Sequence, residues 1–193
     1  MSTIAALRCR DGVVVAGDCL VVRDGRVESR NRRHVLDVAS DVGAAAVGRD
    51  VTRFADRLTG ELRTYRFERE TVSLEALERV ASDVVRDTGV EALVAARDAD
   101  GRAALRAVSA DGSTLSDSPM AFGSGTPFVL GALEAVDAAS TSLPAAETFV
   151  REAFDSAAER DPGTGSEVDV WTLADGSEDA TDGAGSDADS SDL

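Results

Sequence analysis

Two hydroxyls, Ser2 and Thr3, stand at the head of an apolar run that closes on a carboxylate, Asp18, in the opening MSTIAALRCRDGVVVAGD. Asp11-Gly12, midway along it, is a strong hairpin signal. A hairpin with about eight residues per arm returns Asp18 beside Ser2. A hydroxyl and a carboxylate at neighbouring strand ends suit nucleophilic or acid–base chemistry. The plainer alternative is that Asp18 caps the turn through Cys19-Leu20. Three further places carry reactive groups: the only histidine, His34; Ser124 between two glycines; and the run Asp161-Pro162-Gly163-Thr164-Gly165. Each has a structural alternative. His34 could be one more polar residue of a basic strand edge, RNRRHVLDV. Ser124 could be a helix N-cap, and the Pro-Gly run an ordinary helix exit.

The elements that must position these groups follow from periodicity. TIAALRCR and GVVVAGD form the first hairpin, and LVVRDGRVES turns again at Asp24-Gly25. HVLDVAS and VGAAAVG read as two strands separated by Ser40-Asp41, His34 beginning a later strand of the same sheet as Ser2 and Asp18. A helix over residues 50–67 places Val51, Phe54, Leu58, Leu62 and Tyr65 on one face. A second begins at the N-cap Ser73 and stops at Gly89, with Leu74, Leu77, Val80, Ala81 and Val84 apolar. Residues 90–114 return to strand. Two helices follow, PFVLGALEAVDAA and PAAETFVREAFDSAAER, then a last strand EVDVWTL. This order predicts an α+β fold of two stacked antiparallel sheets, each covered by helices. No internal repeat is visible.

Composition sets the surroundings. The 193 residues carry a net charge of −16, and all 20 basic residues are arginine. So acidic a surface is stable where molar salt shortens the screening length to about 3 Å, which points to a salt-accumulating halophile. It argues against nucleic acid as a partner. No apolar run is long enough to span a bilayer and no secretory signal opens the chain, so a soluble, cytoplasmic protein is expected. Cys9 and Cys19 read as small apolar strand residues rather than a disulfide pair. No His, Cys and Asp cluster has metal spacing, and Gly-Ser-Gly lacks the surroundings of a phosphate loop; neither metal nor cofactor is expected. Residues 1–173 form the expected domain. From Ala174 the segment ADGSEDATDGAGSDADSSDL has no basic residue and almost no large apolar one, and is expected to be a disordered acidic tail.

Five fragments in this order resemble the proteasome 20S core family, among the N-terminal-nucleophile hydrolases. They are the opening strand with DGVVVAGD; AAAVGRDVTRFADRL; YRFERETVSLEALERVASDVV; AFGSGTPFVLGALE; and AERDPGTGSEVDVWTL. The resemblance covers nearly everything before the tail. It implies a four-layer αββα sandwich with the site at one end of the sheets, and assembly into a ring of six or seven. It also implies peptides or unfolded proteins as substrates. The strand starts at once, without the helical extension of α-type subunits, so the likeness is to the β type.

In active members an N-terminal Thr hydroxyl attacks the peptide, its own α-amine serving as base, and a Lys–Asp pair tunes the nucleophile. Position by position, the resemblance places the nucleophile on Ser2, the family's second residue on Thr3, and the first Asp on Asp18. The Lys falls on His34, the oxyanion-turn Gly on Gly48, the supporting hydroxyls on Ser124 and Thr164, and the second Asp on Asp161. Thr is thus replaced by Ser, and Lys by His. Small second residues usually allow Met1 to be removed, which would free the Ser2 amine without a propeptide. Asp18 would raise the pKa of His34 towards a cation or orient it as a base. The Ser2 hydroxyl is expected within contact or one water of Asp18 or His34. Two readings stay open: a divergent β-type peptidase acting through Ser2, and a non-catalytic proteasome-like structural subunit or stand-alone homologue.

Overall fold

The structure, a computed structural model, describes residues 1–68 and 71–176. The opening hairpin is β1 (Thr3–Cys9) and β2 (Gly12–Asp18), paired antiparallel with Ile4 opposite Gly17 and Cys9 opposite Gly12. A small ribbon follows, β3 (Val21–Arg23) and β4 (Arg26–Ser29), turning at Asp24-Gly25, both with positive φ. Next come β5 (Val35–Ala39), β6 (Val42–Val47), α1 (Val51–Glu68) and α2 (Leu74–Thr88). The chain continues through β7 (Glu91–Arg97), β8 (Ala103–Val108), β9 (Thr114–Leu115) and β10 (Met120–Gly123). It ends in α3 (Thr126–Leu133), α4 (Leu143–Ala158) and β11 (Val168–Ala174).

Two antiparallel sheets carry the fold, one ordered β10-β1-β2-β11 and the other β5-β6-β7-β8-β9. Strand alternation sorts their side chains into three apolar clusters. From β6, Val42, Ala44 and Ala46 join Phe54, Leu58 and Leu62 of α1 and Leu77, Val84 and Val85 of α2. The alternate residues Ala45 and Val47 instead join Ile4, Ala6, Val13 and Val15 of the other sheet. The opposite face of that sheet, Ala5, Leu7, Val14 and Ala16, meets Val129 and Leu133 of α3 and Val150 and Phe154 of α4. The central strands are therefore buried on both faces, which explains their continuous Val and Ala runs.

The helix boundaries of α2 follow the sequence. The Ser73 side chain accepts from the Ala76 N–H, and Gly89 closes the helix at φ +64°, a left-handed geometry natural to glycine. Other expectations need correction. His34 does not share a sheet with Ser2 and Asp18; it precedes β5 and meets Asp18 across the interface between sheets. The third helix, expected to run on to Ala139, stops at Leu133, and turns replace it where Asp137 accepts from the Ser140 and Thr141 hydroxyls. Met120–Gly123, assigned to no element from the sequence, is the edge strand β10. Cys19 lies just past β2, and both cysteines are free. The folded part also extends past the boundary expected at Ala174. Ala174 ends β11, the Asp175 N–H donates to the Asp11 carbonyl, and the Gly176 N–H to that of Gly101. The rest of the expected tail, 177–193, lies outside the described residues. Among the described residues no helix is long and apolar enough to cross a membrane.

Candidate active site

Three strand registers assemble the site. Pairing of β1 with β2 puts Asp18 at the Ser2 end of the hairpin. Pairing of β1 with β10 sets Thr3 opposite Gly123, so Ser124 and Gly125 fall beside the start of the chain. Pairing of β2 with β11 sets Val168 opposite Asp18, which lays the turn 161–165 over the same end.

Thr3, fully buried, is the hub. Its Oγ1 lies 2.7 Å from Thr164 Oγ1 and accepts the Gly125 N–H at 2.9 Å. Thr164 Oγ1 donates to Asp161 Oδ2 at 2.7 Å, so its single proton is committed and the Thr3 hydroxyl donates to Thr164. Asp161 Oδ1 accepts the Gly163 N–H at 3.1 Å. Burial pushes the Asp161 carboxyl up, but hydroxyls of Ser124 and Thr164 and the Gly163 N–H outweigh it and hold the carboxyl below its usual range. The Ser124 Oγ acts on Asp161 from outside hydrogen-bond geometry and makes no hydrogen bond among the described residues. Nor is Ser124 the N-cap of α3, a position taken by Gly125. Glycine is required at 125, where a Cβ would collide with Thr164 Oγ1 and come within 2.9 Å of Thr3 Oγ1.

Asp18 has no exposed surface. Its Oδ2 accepts the Gly165 N–H at 2.8 Å and its Oδ1 the Thr3 N–H at 3.3 Å. Burial outweighs these bonds and pushes its pKa up to about 7. His34 Nδ1 lies 2.6 Å from the Asp18 backbone carbonyl. A carbonyl only accepts, so Nδ1 carries the proton and Nε2 is left as a proton acceptor. Burial lowers the His34 pKa, and the nearby Arg32 charge lowers it further, against the pull of the Asp18 carbonyl. The expected cation is therefore not formed. The 3.7 Å from Nδ1 to Asp18 Oδ1 is not an ion pair, because the imidazole is neutral.

Ser2, 8% exposed, donates its hydroxyl to the Leu20 carbonyl at 2.7 Å. No direct hydrogen bond among the described residues joins it to Asp18 or His34. Met1 pairs with Val22 like a further strand: its amino group donates to the Val22 carbonyl, and its carbonyl accepts the Val22 N–H at 3.0 Å. Ser2, His34, Gly48 and Ser124 line a cleft of about 640 Å³, while Asp18, Asp161 and Thr164 are buried and not part of its lining. Gly48 has φ +137°, and a Cβ there would sit 3.1 Å from the Val90 backbone, so the turn needs glycine. The structure thus brings all the expected site residues to one end of the sheets. Thr3, more than Ser2, is the residue on which these bonds converge. Its signal was a hydroxyl at an alternating, buried strand position, a costly placement without partners.

A buried hydroxyl–carboxylate network lies behind the N-terminal strand, next to a cleft and a positive-φ glycine turn. This chain belongs to the proteasome subunit family, which matches it over residues 1–173. Among curated relatives, it is 30% identical to a proteasome subunit beta of Halobacterium salinarum, over 89% of this chain and 73% of the relative. It is 27% identical to a proteasome subunit beta of Methanosphaera stadtmanae, over 83% and 80%, and 27% to a proteasome subunit beta 1 of Hyperthermus butylicus, over 89% and 88%.

Proposed function

We propose that this chain is a β-type proteasome-like subunit with the four-layer αββα architecture, and that it hydrolyses peptides with Ser2 as nucleophile once the Met1–Ser2 bond is cut. The observation that carries this reading is the position of Ser2. It is the point where the cleft meets the strand start anchored by Thr3, Thr164, Asp161 and Asp18. The freed Ser2 amine would take the hydroxyl proton while Oγ attacks the peptide carbonyl carbon. The oxyanion would face the backbone at Gly48. As the C–N bond breaks, the proton passes to the leaving amine, and water then hydrolyses the Ser2 ester. His34 supplies no positive charge here; its Nε2 is a second proton acceptor.

The opposing observation supports a non-catalytic structural subunit. The imidazole is neutral where the resemblance calls for lysine, and the Ser2 hydroxyl is bound to a carbonyl rather than a base. One experiment separates the two. Intact mass gives the start of the purified protein, and fluorogenic peptides in molar salt compare the parent with Ser2→Ala. Cleavage by a chain starting at Ser2, lost to background in the variant, supports the peptidase. A retained Met1, or equal rates, establishes the structural role.

The ring of six or seven and a cytoplasmic, high-salt setting belong to the same proposal. Subunits of charge −16 repel at low salt, so assembly should need molar salt. Light scattering that finds only folded monomer there would refute the ring.

A further inference from the structure

In a chain of charge −16, the cleft beside Ser2 is an exception. Arg23, Arg32 and Arg49 line it, against Glu28 and Glu91. Arg23 and Glu28 pair at 3.4 Å and offset each other. Arg32 and Arg49 have no carboxylate partner among the described residues, and Glu91 is the single acid set against them. Asp50, next to Arg49 in the chain, is not part of the lining. Arg32 is held in place twice: its backbone N–H donates to the Cys19 carbonyl at 3.0 Å, and its guanidinium to Thr52 Oγ1 at 2.8 Å. That bond uses one of five guanidinium donors, leaving others for a ligand. Arg49 directly follows Gly48, at the turn proposed to face the oxyanion.

We propose that Arg32 and Arg49 make this cleft selective for peptides bearing an Asp or Glu side chain beside the bond that Ser2 attacks. The inference rests on the Ser2 reading for cleavage, but not for binding. Guanidinium and carboxylate form paired, charge-assisted hydrogen bonds of about 2.7–2.9 Å. A contact that short lies within the roughly 3 Å screening length of molar salt, whereas the long-range repulsion from the acidic exterior does not. The selection therefore operates in the salt that the chain's composition calls for.

The test uses peptides that differ only in having Glu, Leu or Arg before a fluorogenic leaving group, with the purified protein in molar salt. The Glu peptide should show a kcat/KM at least tenfold above the other two. Arg49→Gln and Arg32→Gln should each bring that ratio towards one. Fluorescein-labelled versions of the peptides, followed by anisotropy on Ser2→Ala protein, report binding without chemistry. Preferential binding of the Glu peptide without cleavage by the parent would leave this proposal standing and remove the nucleophile reading. Cleavage or binding that favours Leu or Arg, unchanged ratios in both arginine variants, or no binding of any peptide would overturn it.

Discussion

The two ends of the first sheet hold carboxylates in opposite ways. At the end away from the cleft, Asp175 is partly exposed, pairs with Arg8 at 2.8 Å and accepts the Ala103 N–H at 2.8 Å. Arg97 donates to the neighbouring Ala174 carbonyl. There an arginine neutralises the charge and water screens the remainder. At the cleft end, Asp18 is fully buried, no arginine among the described residues pairs with it, and two backbone N–H groups and the nearby chain amine support its charge without offsetting burial. The first arrangement ties down a chain end at low cost. The second is expensive, and a buried, strongly shifted carboxyl beside a cleft is the pattern of a functional site. The difference separates a clasp from a candidate site, although both are carboxylates at strand ends.

Breaking each end should expose this contrast. The largest effect is expected at Asp18. Its pKa is raised from 3.8 to about 7 on folding, so the folded chain binds more protons than the unfolded one between these values. Stability is then full below pH 3.8 and falls as pH rises through 7, by on the order of 4 kcal/mol. His34 acts in the opposite sense. Its folded pKa lies below 6.5, so its contribution is full above pH 6.5 and is lost as pH falls through the folded value. Denaturant melts in molar salt from pH 4 to 9 should therefore show Asp18→Asn removing the loss between pH 4 and 8, and His34→Gln removing the loss below 6.5. A parent profile unchanged by Asp18→Asn would contradict the contrast. Next in size, Gly125→Ala should cost about 3 kcal/mol, from overpacking and broken hydroxyl bonds together. Thr3→Val, which strands the Gly125 N–H and removes the bond that Thr164 Oγ1 accepts, should cost roughly 1–3 kcal/mol in the same melts. Smallest, Asp175→Asn at the clasp should cost about 1 kcal/mol or less. A clasp variant more damaging than Thr3→Val would reverse the comparison.

Much of the framework was legible along the chain. Asp24-Gly25 marked a hairpin because both residues accept positive φ, whereas the signal at Asp11-Gly12 lay one residue off: Cys9 pairs with Gly12 and the turn is Arg10-Asp11. Val51, Phe54, Leu58 and Leu62 marked α1 by their 3.6-residue spacing, and all four are buried. Ser73 and Gly89 bounded α2 through local capping bonds. Strand β10 was not legible, because four residues carry too little periodicity; its pairing with β1 identifies it. The site was half legible. That Asp18 returns beside the chain start followed from hairpin arithmetic. The hydrogen bonds of the Ser2 hydroxyl and of His34 did not follow from it.

The sequence by itself determined whatever depends on nearest neighbours: turn chemistry, helix faces, caps, an acidic surface without lysine, and an order of fragments that resembles one family. Tertiary structure alone decided which partner each polar group found. His34 came from the other sheet to the Asp18 carbonyl, Thr3 rather than Ser2 became the hub of the buried hydroxyls, and Asp18 lost its water. The physical reason is range. Propensity and periodicity act over a few residues, whereas desolvation and hydrogen bonding across 161 residues of sequence, from Thr3 to Thr164, exist only once the sheets have stacked.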